Sequence, residues 1–378
     1  MKFNPGHFQS NVWQRITKII SSNRIGSAYL FSGPEGTGKE AAALAFSAAL
    51  NCQGNEIICG SCSSCVRFSS LQHEHLHVII PLPRKKANFD KDTDVLSIIG
   101  DDNAALLTDL LQKKGTDPFQ KINIPRAKRI LINSIRELRK KLYLKSVDSG
   151  YKMVLIFDAH CLSDGDGASA NALLKLLEEP PKKTTVILVT DYKSMLLSTI
   201  QSRCQQIDFP PISHDIVSTY LTDRGIHSGE AEFYANLADG NIHKARFLAD
   251  RTVAEILKTM KDQVEAVVNS NGDGWRSYIN NMSRMVRSDP NNFKFHLFLL
   301  QTWFQQSVRF RQNISSPLAQ NGFGEALKTF TTSYPQANLT TANSVIETTI
   351  ASIDRNFYMP LTLTNMLIDI QHYLKGKA

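Results

Sequence analysis

The sequence lacks any run of eighteen or more consecutive apolar residues, and no apolar segment followed by a small-residue cleavage site stands near its start. A membrane-spanning helix needs about 20 such residues, so we expect neither a membrane span nor secretion, and a cytoplasmic location. Internal repeats and low-complexity tracts are also missing. With 42% hydrophobic and 21% charged residues, the composition predicts a globular protein and excludes disordered and collagen-like classes.

Length and charge set two further limits. A chain of 378 residues exceeds what one hydrophobic core usually spans, so we expect two or three domains. Lys and Arg number 43 against 35 Asp and Glu, which gives a net charge of +8. This mild excess is compatible with a nucleic-acid partner without requiring one.

Cysteine is scarce outside one short segment. Four of the six cysteines fall within fourteen residues, namely Cys52, Cys59, Cys62 and Cys65, while Cys161 and Cys204 stand alone. Four thiolates in one loop can close a tetrahedral zinc site with no open position, so we predict structural zinc. A redox dithiol is the main alternative. The nearby histidines could compete as ligands, but we expect them on the surface or at the start of a strand; they are His73, His75 and His77.

A glycine-rich segment follows the first apolar run, Ser27 to Ser32, and leads into the helix-forming residues EAAALAFSAAL. The segment, Gly33 to Lys39 (GPEGTGK), has the frame of a phosphate-binding loop, whose backbone N–H groups hold phosphate oxygens while the lysine reaches the terminal phosphates. Glu40 occupies the position where Ser or Thr would bind Mg²⁺. A carboxylate there faces phosphate charge, so we expect nucleotide binding to be weakened or lost. A tight strand-to-helix turn without a ligand is an equally good interpretation.

Two later apolar runs, Met153 to Phe157 and Thr185 to Thr190, are separated by a helical pattern. Apolar strands without alternation, joined by helices, predict a parallel α/β sheet covered on both faces. In nucleotide hydrolases such a strand ends in Asp-Glu, and the Glu polarises the attacking water. Here Asp158 is followed by Ala159, so we expect no hydrolysis at this chain's own site. His160 could be proposed as a substitute base, but a lone histidine after a strand is more often a packed or capping residue. The predicted degenerate nucleotide site consists of Gly33, Gly36, Gly38, Lys39, Asp158 and Thr190.

Two segments between the cysteines and the later strands have unusual charge. Residues 84–120 are polar and rich in Asp, Lys and Gly, and we expect an insertion that is the least ordered part of the chain. Residues 121–145 hold nine Lys or Arg against one acid, with apolar residues at roughly helical spacing. The solvated face of an amphipathic helix is the favoured interpretation, ahead of a nucleic-acid contact.

Helical patterns continue after Pro210-Pro211, and no further strand is predicted. The expected breaks lie at Gly225, Gly240, Asp289-Pro290, Ser316-Pro317 and Met359-Pro360. We therefore predict three domains. The first, over 1–209, is a P-loop parallel-sheet domain that carries the zinc module at 52–65 and the insertion at about 84–120. A small helical lid domain over 210–252 and an all-α C-terminal domain over 253–378 follow.

Several stretches resemble the bacterial clamp-loader subunits of DNA polymerase III. They are Arg24 to Phe31, the four-cysteine insertion, Ile135 to Leu138, Asn171 to Pro181 (NALLKLLEEPP), and Leu197 to Cys204 with its triplet Ser202-Arg203-Cys204. These stretches cover about the first 210 residues in the family's order, and the last two are highly specific. The helical remainder is similar only in length and character. The resemblance implies an AAA+ fold with a C-terminal oligomerisation domain that forms a collar.

Three departures indicate which kind of subunit this chain resembles. The family's ATP-hydrolysing motor subunits keep the loop Ser or Thr, the Asp-Glu pair and a lid arginine, whereas this chain has Glu40, Ala159 and His243. This pattern is similar to the delta-prime type, which keeps the fold, the zinc module and an arginine finger but does not hydrolyse ATP. The resemblance implies that Arg203 acts as this finger on the ATP of a neighbouring subunit.

The resemblance also implies partners. They are motor gamma/tau and delta-type subunits in a hetero-pentamer, the sliding clamp, and primer-template DNA. Residues 121–145 could help hold this DNA. The whole assembly is part of a nucleotidyltransferase complex. An active ATPase motor is one alternative, and hydrolysis by the purified chain that Lys39→Ala abolishes would favour it. An interaction scaffold outside replication is the other, and failure to bind clamp-loader partners or the clamp would favour that.

Overall fold

The computed structural model describes residues 5–84, 93–143, 150–165, 167–269, 272–314, 323–353 and 357–376. Two compact units are present. The first unit comprises the chain up to Tyr220 together with the segment Ala238–Ala245. The second unit comprises Leu221–Leu237 and the chain from Arg246 onward. The three-domain division with boundaries after 209 and 252 stays a prediction.

One parallel sheet organises the first unit. Its strands are β1 Ala28–Ser32, β2 Leu76–Ile79, β3 Lys152–Ile156, β4 Thr184–Thr190 and β5 Gln205–Asp208. They lie in the order β2-β3-β4-β1-β5, and every neighbouring pair is parallel. The carboxyl ends of β1, β3 and β4 therefore meet at one edge, where parallel sheets with helices on both faces bind their ligands.

Both faces of this sheet are buried, which explains why the central strands have continuous apolar sequences. On β1, Tyr29 and Phe31 belong to one hydrophobic core, while Ala28 and Leu30 belong to a second core on the opposite face. The buried side chains of β3 and β4 are divided between the two cores in the same alternating way. The predicted α/β fold is confirmed, including the P-loop position after β1 and the helical remainder.

The edge strand β5 was not predicted, and β2 was anticipated only as one alternative for the histidine segment. Each has only four residues, and β5 has the polar sequence QQID, in which only Ile207 is buried. An edge strand hydrogen bonds to one neighbour and exposes more of its side chains, so neither hydrophobicity nor length identified these two.

The helices of the first unit cover both faces of the sheet. They are α1 Pro5–Phe8, α2 Ser10–Ser21, α3 Lys39–Leu50, α4 Ser63–Ser69, α5 Val95–Ile99, α6 Asp101–Thr116, α7 Ile132–Tyr143, α8 Ala168–Glu178, α9 Ser198–Gln201 and α10 His214–Thr222, which continues two residues beyond the unit. Short 3₁₀ turns occur at Ala159–Leu162 and Lys193–Met195.

The polar segment 84–120 contains α5 and α6. The expectation that this segment is the least ordered part of the chain was therefore wrong for residues 95–116. Asp94 caps α5 through hydrogen bonds from the N–H groups of Leu96 and Ser97. Ile98 and Ile99 are buried in the sheet core, and apolar residues of α6 pack against it. Most of the polar residues that suggested a loop lie on the exposed face of α6, whereas Lys114 on the same helix is buried. Residues 85–92 lie outside the described residues.

The basic segment forms the amphipathic helix that was predicted. Ile135, Leu138 and Leu142 on α7 are buried, while Lys140 and Lys141 are exposed. Lys121, the first cation of the segment, is different because it lies half-buried among carboxylates rather than on a solvated face. Lys145 lies outside the described residues.

The remaining elements are all helical. They are α11 Ser228–Ala238, α12 Ile242–Ala249, α13 Val253–Val268, α14 Gly272–Ser288, α15 Pro290–Arg311, α16 Gly324–Ser333, α17 Leu339–Ser352 and α18 Met359–Leu374. The predicted breaks at Gly225 and Gly240 are confirmed, with positive φ angles of 90° and 77°. Helices also begin at Pro290 and Met359 as expected, while Ser316-Pro317 falls outside the described residues. Across the described ranges, no helix is both long and apolar enough to cross a bilayer.

The second unit is organised around α15, which packs against α13, α14, α16 and α17. Phe293, Leu300 and Phe304 on α15 are fully buried. The guanidinium of Arg251 lies 4.1 Å from the ring centre of Phe247 and 4.6 Å from that of Phe295. The two rings are themselves in edge-to-face contact, with centres 5.2 Å apart. A cation over two aromatic rings contributes favourably to stability, so this end of the unit is held by more than apolar burial.

Candidate functional site

The glycine-rich loop joins β1 to α3 at the carboxyl edge of the sheet. Gly33 and Gly36 have φ angles of 145° and 73°, and Gly38 caps α3 with a φ of 83°. A side chain at Gly33 would clash with the carbonyl oxygen of Phe209, and one at Gly36 would clash with Asn241. These glycines are therefore required by the packing of the loop itself, whether or not a phosphate binds.

Lys39 is folded back onto its own loop. Its ammonium group donates hydrogen bonds to the carbonyl oxygens of Gly33 (2.8 Å) and Pro34 (2.5 Å), and it lies 2.8 Å from Asp191 Oδ1. The side chain is only 4% exposed. An ammonium group has three donors, so these partners already satisfy the lysine that would reach a terminal phosphate.

Lys121 lies among three carboxylates of the same cleft. Its ammonium group is 3.4 Å from Asp191, 3.5 Å from Glu35 and 3.6 Å from Asp158. Burial disfavours the charge of Lys121, but the carboxylates outweigh this effect and raise the pKa of the lysine. Burial also acts against the charge of Asp191, yet Lys121 and Lys39 hold its pKa below the ordinary value. Lys121 thus provides a fixed positive charge where a nucleotide site would bind its metal ion.

Glu40, the departure from the loop motif, has a partner of its own. Lys114 Nζ from α6 lies 2.5 Å from Glu40 Oε2 and also donates to the carbonyl oxygens of Pro118 and Gln120. The Lys114 side chain is completely buried, and its ammonium group is 5.1 Å from the ring centre of Phe157. The carboxylate that was expected to repel phosphate is therefore neutralised by a lysine from the polar segment.

The remaining space in the cleft is small. A cavity of about 30 Å³ is left between the loop and the residues after β3 and β4, which is room for about two water molecules. Three lysines and four carboxylates line the cleft or lie beside it, so the full set of charges carries no excess of positive charge to attract a triphosphate. The arrangement is a self-paired ionic cluster.

The sheet-edge residues predicted from sequence lie together in this cleft. Asp158 adopts a left-handed conformation with φ 46°, and burial raises the pKa of its carboxyl group. The Thr190 hydroxyl is 3.2 Å from His160 Nδ1 and accepts a hydrogen bond from the backbone N–H of Tyr192. His160 is thus a packed histidine, as expected, and burial lowers its pKa. Burial likewise lowers the pKa of His243, which also lines the cleft.

Sequence reasoning missed four residues of this cluster, namely Glu35, Lys114, Lys121 and Asp191. Asp191 directly follows β4, and its place at the carboxyl end of a parallel strand was a usable signal. Lys114 and Lys121 carry no such signal, because each belongs to a segment that looks solvent-exposed in the sequence.

The four clustered cysteines come together as predicted. The sulfur atoms of Cys52, Cys59, Cys62 and Cys65 all lie within 4.8 Å of one another. Four sulfurs bound to one Zn²⁺ at about 2.3 Å would be separated by about 3.8 Å, and Cys59 Sγ is 3.9 Å from Cys65 Sγ. All six cysteines of the chain, each within the described ranges, are free thiols. The cluster therefore fits a four-coordinate zinc ion.

Backbone groups around the cluster favour thiolates. Cys52 Sγ accepts from the N–H groups of Gly54 and Cys59, and Cys62 Sγ accepts from Cys65 N–H, each at 3.4 Å. The N–H groups of Cys62 and Ser61 lower the pKa of Cys59 to about 6. Hydrogen bonds of this kind hold the ligand side chains in place and stabilise their negative charge.

The three nearby histidines are not part of the sulfur cluster. His73 and His75 are buried, so their expected surface position was wrong, and His77 lies within β2 as the strand alternative predicted. His73 Nε2 is 3.1 Å from the hydroxyl of Ser64, and its ring stacks on Phe68 with centres 4.1 Å apart. These contacts attach α4, which carries Cys65, to the chain that enters the sheet.

Arg203 lies at the surface, directly after α9. Its side chain is 38% exposed, while Cys204 beside it is buried. The guanidinium donates to Glu178 Oε1 at 2.7 Å and to the carbonyl oxygen of Thr199 at 2.9 Å. The structure thus keeps Arg203 outside this chain's own cleft, on a face that another protein can reach.

Comparison with known proteins assigns the family. Residues 8–213, more than half of the chain, match the family described as DNA polymerase III, delta subunit. The chain belongs to this family. The resemblance to bacterial DNA polymerase III clamp-loader subunits is therefore confirmed at the level of the family.

Similar curated proteins include subunits of two kinds. The chain is 30% identical over 232 residues to DNA polymerase III subunit delta' of Bacillus subtilis, which covers 61% of this chain and 56% of that protein. It is 29% identical over 272 residues to DNA polymerase III subunit tau of the same organism, covering 68% and 40%. The tau subunit of Salmonella typhimurium is 27% identical over 297 residues, covering 72% and 39%. The matches thus span about two fifths to just over half of these relatives.

Proposed function

We propose that this chain is a delta-prime-type clamp-loader subunit of DNA polymerase III, which promotes ATP hydrolysis in a neighbouring subunit and does not hydrolyse ATP itself. Family membership supports the general assignment. Glu40, Ala159 and His243 support the delta-prime type, because they occupy positions where the motor subunits need a metal ligand, a water-polarising acid and an arginine.

The observation that carries the proposal is the contrast between Lys39 and Arg203. Lys39 is buried and bonded to its own loop and to Asp191, whereas Arg203 is accessible on the surface. Lys39 has no free donor for a phosphate in its own chain, while Arg203 is exposed. This combination suits a subunit that acts on a phosphate in another chain. An arginine supplied in trans stabilises the charge that develops during phosphoryl transfer.

The same contacts argue against an active ATPase motor. That alternative needs Glu40 to coordinate Mg²⁺, but Glu40 is paired with the buried Lys114. It also needs Lys39 to reach a phosphate, but the Lys39 ammonium is bonded to its own loop and to Asp191. An interaction scaffold outside replication gains no support from a specific contact.

The partners and location belong to this proposal as well. The chain would join motor gamma/tau and delta-type subunits in a cytoplasmic five-membered ring that places a sliding clamp on primer-template DNA. Exposed Lys140 and Lys141 on α7 could contact the DNA backbone, and such contacts weaken with added salt. Zinc at the four cysteines would hold the module between α3 and α4 and take no part in catalysis.

The experiment compares clamp loaders reconstituted with the wild-type chain, Arg203→Ala or Arg15→Ala, which alters an exposed arginine on α2. ATP hydrolysis is measured with primer-template DNA in equally assembled complexes. An arginine finger is worth on the order of 10³ to 10⁵ in rate. We therefore expect Arg203→Ala to abolish hydrolysis at the adjacent site and lower the total rate by that site's share, while Arg15→Ala has no effect.

Two results would overturn the proposal. An unchanged rate of ATP hydrolysis with Arg203→Ala in an assembled complex would contradict the proposed role of Arg203 as an arginine finger. Hydrolysis by the purified wild-type chain, lost in Lys39→Ala, would assign the chain to the motor type.

A further inference from the structure

Arg203 is held by its own chain through an acid of the NALLKLLEEPP stretch. Glu178, the last residue of α8, accepts a hydrogen bond from Arg203 Nη2 at 2.7 Å. The other terminal nitrogen, Nη1, donates to the carbonyl oxygen of Thr199 at 2.9 Å. In this position the guanidinium is directed at α8 and α9 of its own chain.

The strength of this contact suits a temporary restraint. The side chains of Arg203 and Glu178 are 38% and 49% exposed, so water and a competing anion can reach both. Ion pairs at such exposed positions contribute about 0–1 kcal/mol. A phosphate in a desolvated interface, which binds arginine in a bidentate manner, is a stronger partner and can displace the carboxylate.

We propose that Glu178 is a positioning residue for Arg203, which holds the guanidinium against its own chain until the phosphate of a neighbouring subunit displaces it. This inference rests on the proposed role of Arg203 in trans. Glu178 competes with the phosphate for the same cation, so its removal lowers the cost of moving the arginine across the interface.

The chain provides a matched control in the next residue. Glu179 is also an exposed acid, but the bonds of the guanidinium go to Glu178 and Thr199. Changing either acid to Gln removes one negative charge at nearly the same place. Only Glu178→Gln weakens the restraint on Arg203, so the pair separates a direct contact from a general change in charge.

The first experiment uses the isolated full-length chain. Phenylglyoxal modifies accessible guanidinium groups, and mass spectrometry of the Arg203 peptide gives the rate. Since about 1 kcal/mol corresponds to roughly fivefold, we expect Glu178→Gln to raise the rate two- to fivefold and Glu179→Gln to leave it unchanged. Equal rates in all three proteins would overturn the restraint, and this test needs no neighbouring subunit.

The second experiment measures kcat/KM for ATP in the reconstituted clamp loader with primer-template DNA. We expect Glu178→Gln to raise the contribution of the site adjacent to Arg203 two- to fivefold, and Glu179→Gln to leave it unchanged. Glu178→Gln should have no effect when Arg203 is already Ala. Equal melting temperatures of the variants exclude a structural cause.

The outcomes separate the two proposals. Loss of the adjacent site's share of hydrolysis with Arg203→Ala, together with an unchanged or lower kcat/KM for Glu178→Gln, would overturn the restraint and leave the arginine finger intact. No change with Arg203→Ala would overturn the arginine finger, while the modification rates of the isolated chain would still test the contact with Glu178.

Discussion

Lys114 Nζ lies 2.5 Å from Glu40 Oε2 and connects α6 to the first turn of α3, across 74 positions of sequence. Lys114 is fully buried, and Glu40 is 20% exposed. The acid that departs from the phosphate-loop motif and the lysine that neutralises it therefore form one feature. The polar segment 84–120 contributes this lysine, so it is part of the structure that supports the loop.

We predict that Lys114→Met strongly destabilises the chain. Removing one partner of a buried ion pair leaves the other charge uncompensated and typically costs about 3–5 kcal/mol. Because Glu40 is partly exposed, we expect a value near the lower limit, about 3 kcal/mol. Urea unfolding followed by circular dichroism measures the change in the free energy of unfolding.

Lys113 provides the control for this measurement. It is the preceding residue, its side chain is 60% exposed, and it pairs with Asp109 one turn earlier at 2.7 Å. Surface pairs of this kind are worth a few tenths of a kcal/mol, so Lys113→Met should change stability by less than about 0.5 kcal/mol. Addition of Glu40→Gln to Lys114→Met should restore part of the loss. Similar small effects of the two lysine variants would contradict the importance of the buried pair.

The central sheet could be predicted from the sequence because β1, β3 and β4 are buried on both faces. Burial on both faces requires an apolar side chain at every position, and Val186 to Val189 illustrate this pattern. The edge strands have no such requirement, so the sequence QQID of β5 carried little signal. The same reason explains why α6 was not predicted, because its outer face is polar and only its inner apolar residues contact the core.

The four-cysteine cluster and the glycine-rich loop could also be predicted, because each is encoded in local spacing. The contents of the cleft could not be. The pairs Lys39–Asp191, Lys114–Glu40 and Lys121–Asp158 join residues that are distant in sequence, and they form only after the sheet brings their segments together. A charged residue in a polar segment looks the same in a sequence whether it faces water or a buried carboxylate.

We predict that the purified chain binds one zinc ion and that Cys62→Ser lowers zinc well below one per chain. Loss of one thiolate from a four-sulfur site removes a ligand that the remaining three cannot replace. Elemental analysis by mass spectrometry after gel filtration gives the metal content. Cys161→Ala removes a buried cysteine that is outside the cluster and should leave zinc unchanged. A wild-type chain without zinc would contradict the assignment of the site.

Our last prediction concerns pH and His77 on β2. Burial, followed by the charges of Lys141 and Lys152, lowers the pKa of His77 from 6.5 to about 4. Between these two pH values the unfolded chain binds a proton that the folded chain does not. The free energy of unfolding is therefore highest above pH 6.5 and falls as pH drops from 6.5 toward 4, by at most about 1.4 kcal/mol per pH unit for this one group.

The test compares urea unfolding at several pH values for the wild type, His77→Gln and His7→Gln. Carboxylates and zinc ligands titrate in all three proteins, so the difference between the wild-type and His77→Gln curves isolates His77. We expect His77→Gln to become less destabilising as pH falls from 6.5 to 4, because the variant has no half-buried imidazole to keep neutral. His7→Gln changes an exposed histidine on α1 and is the control for the substitution itself. Parallel curves for the wild type and His77→Gln would mean that His77 titrates alike in the folded and unfolded chains, which would contradict the lowered pKa.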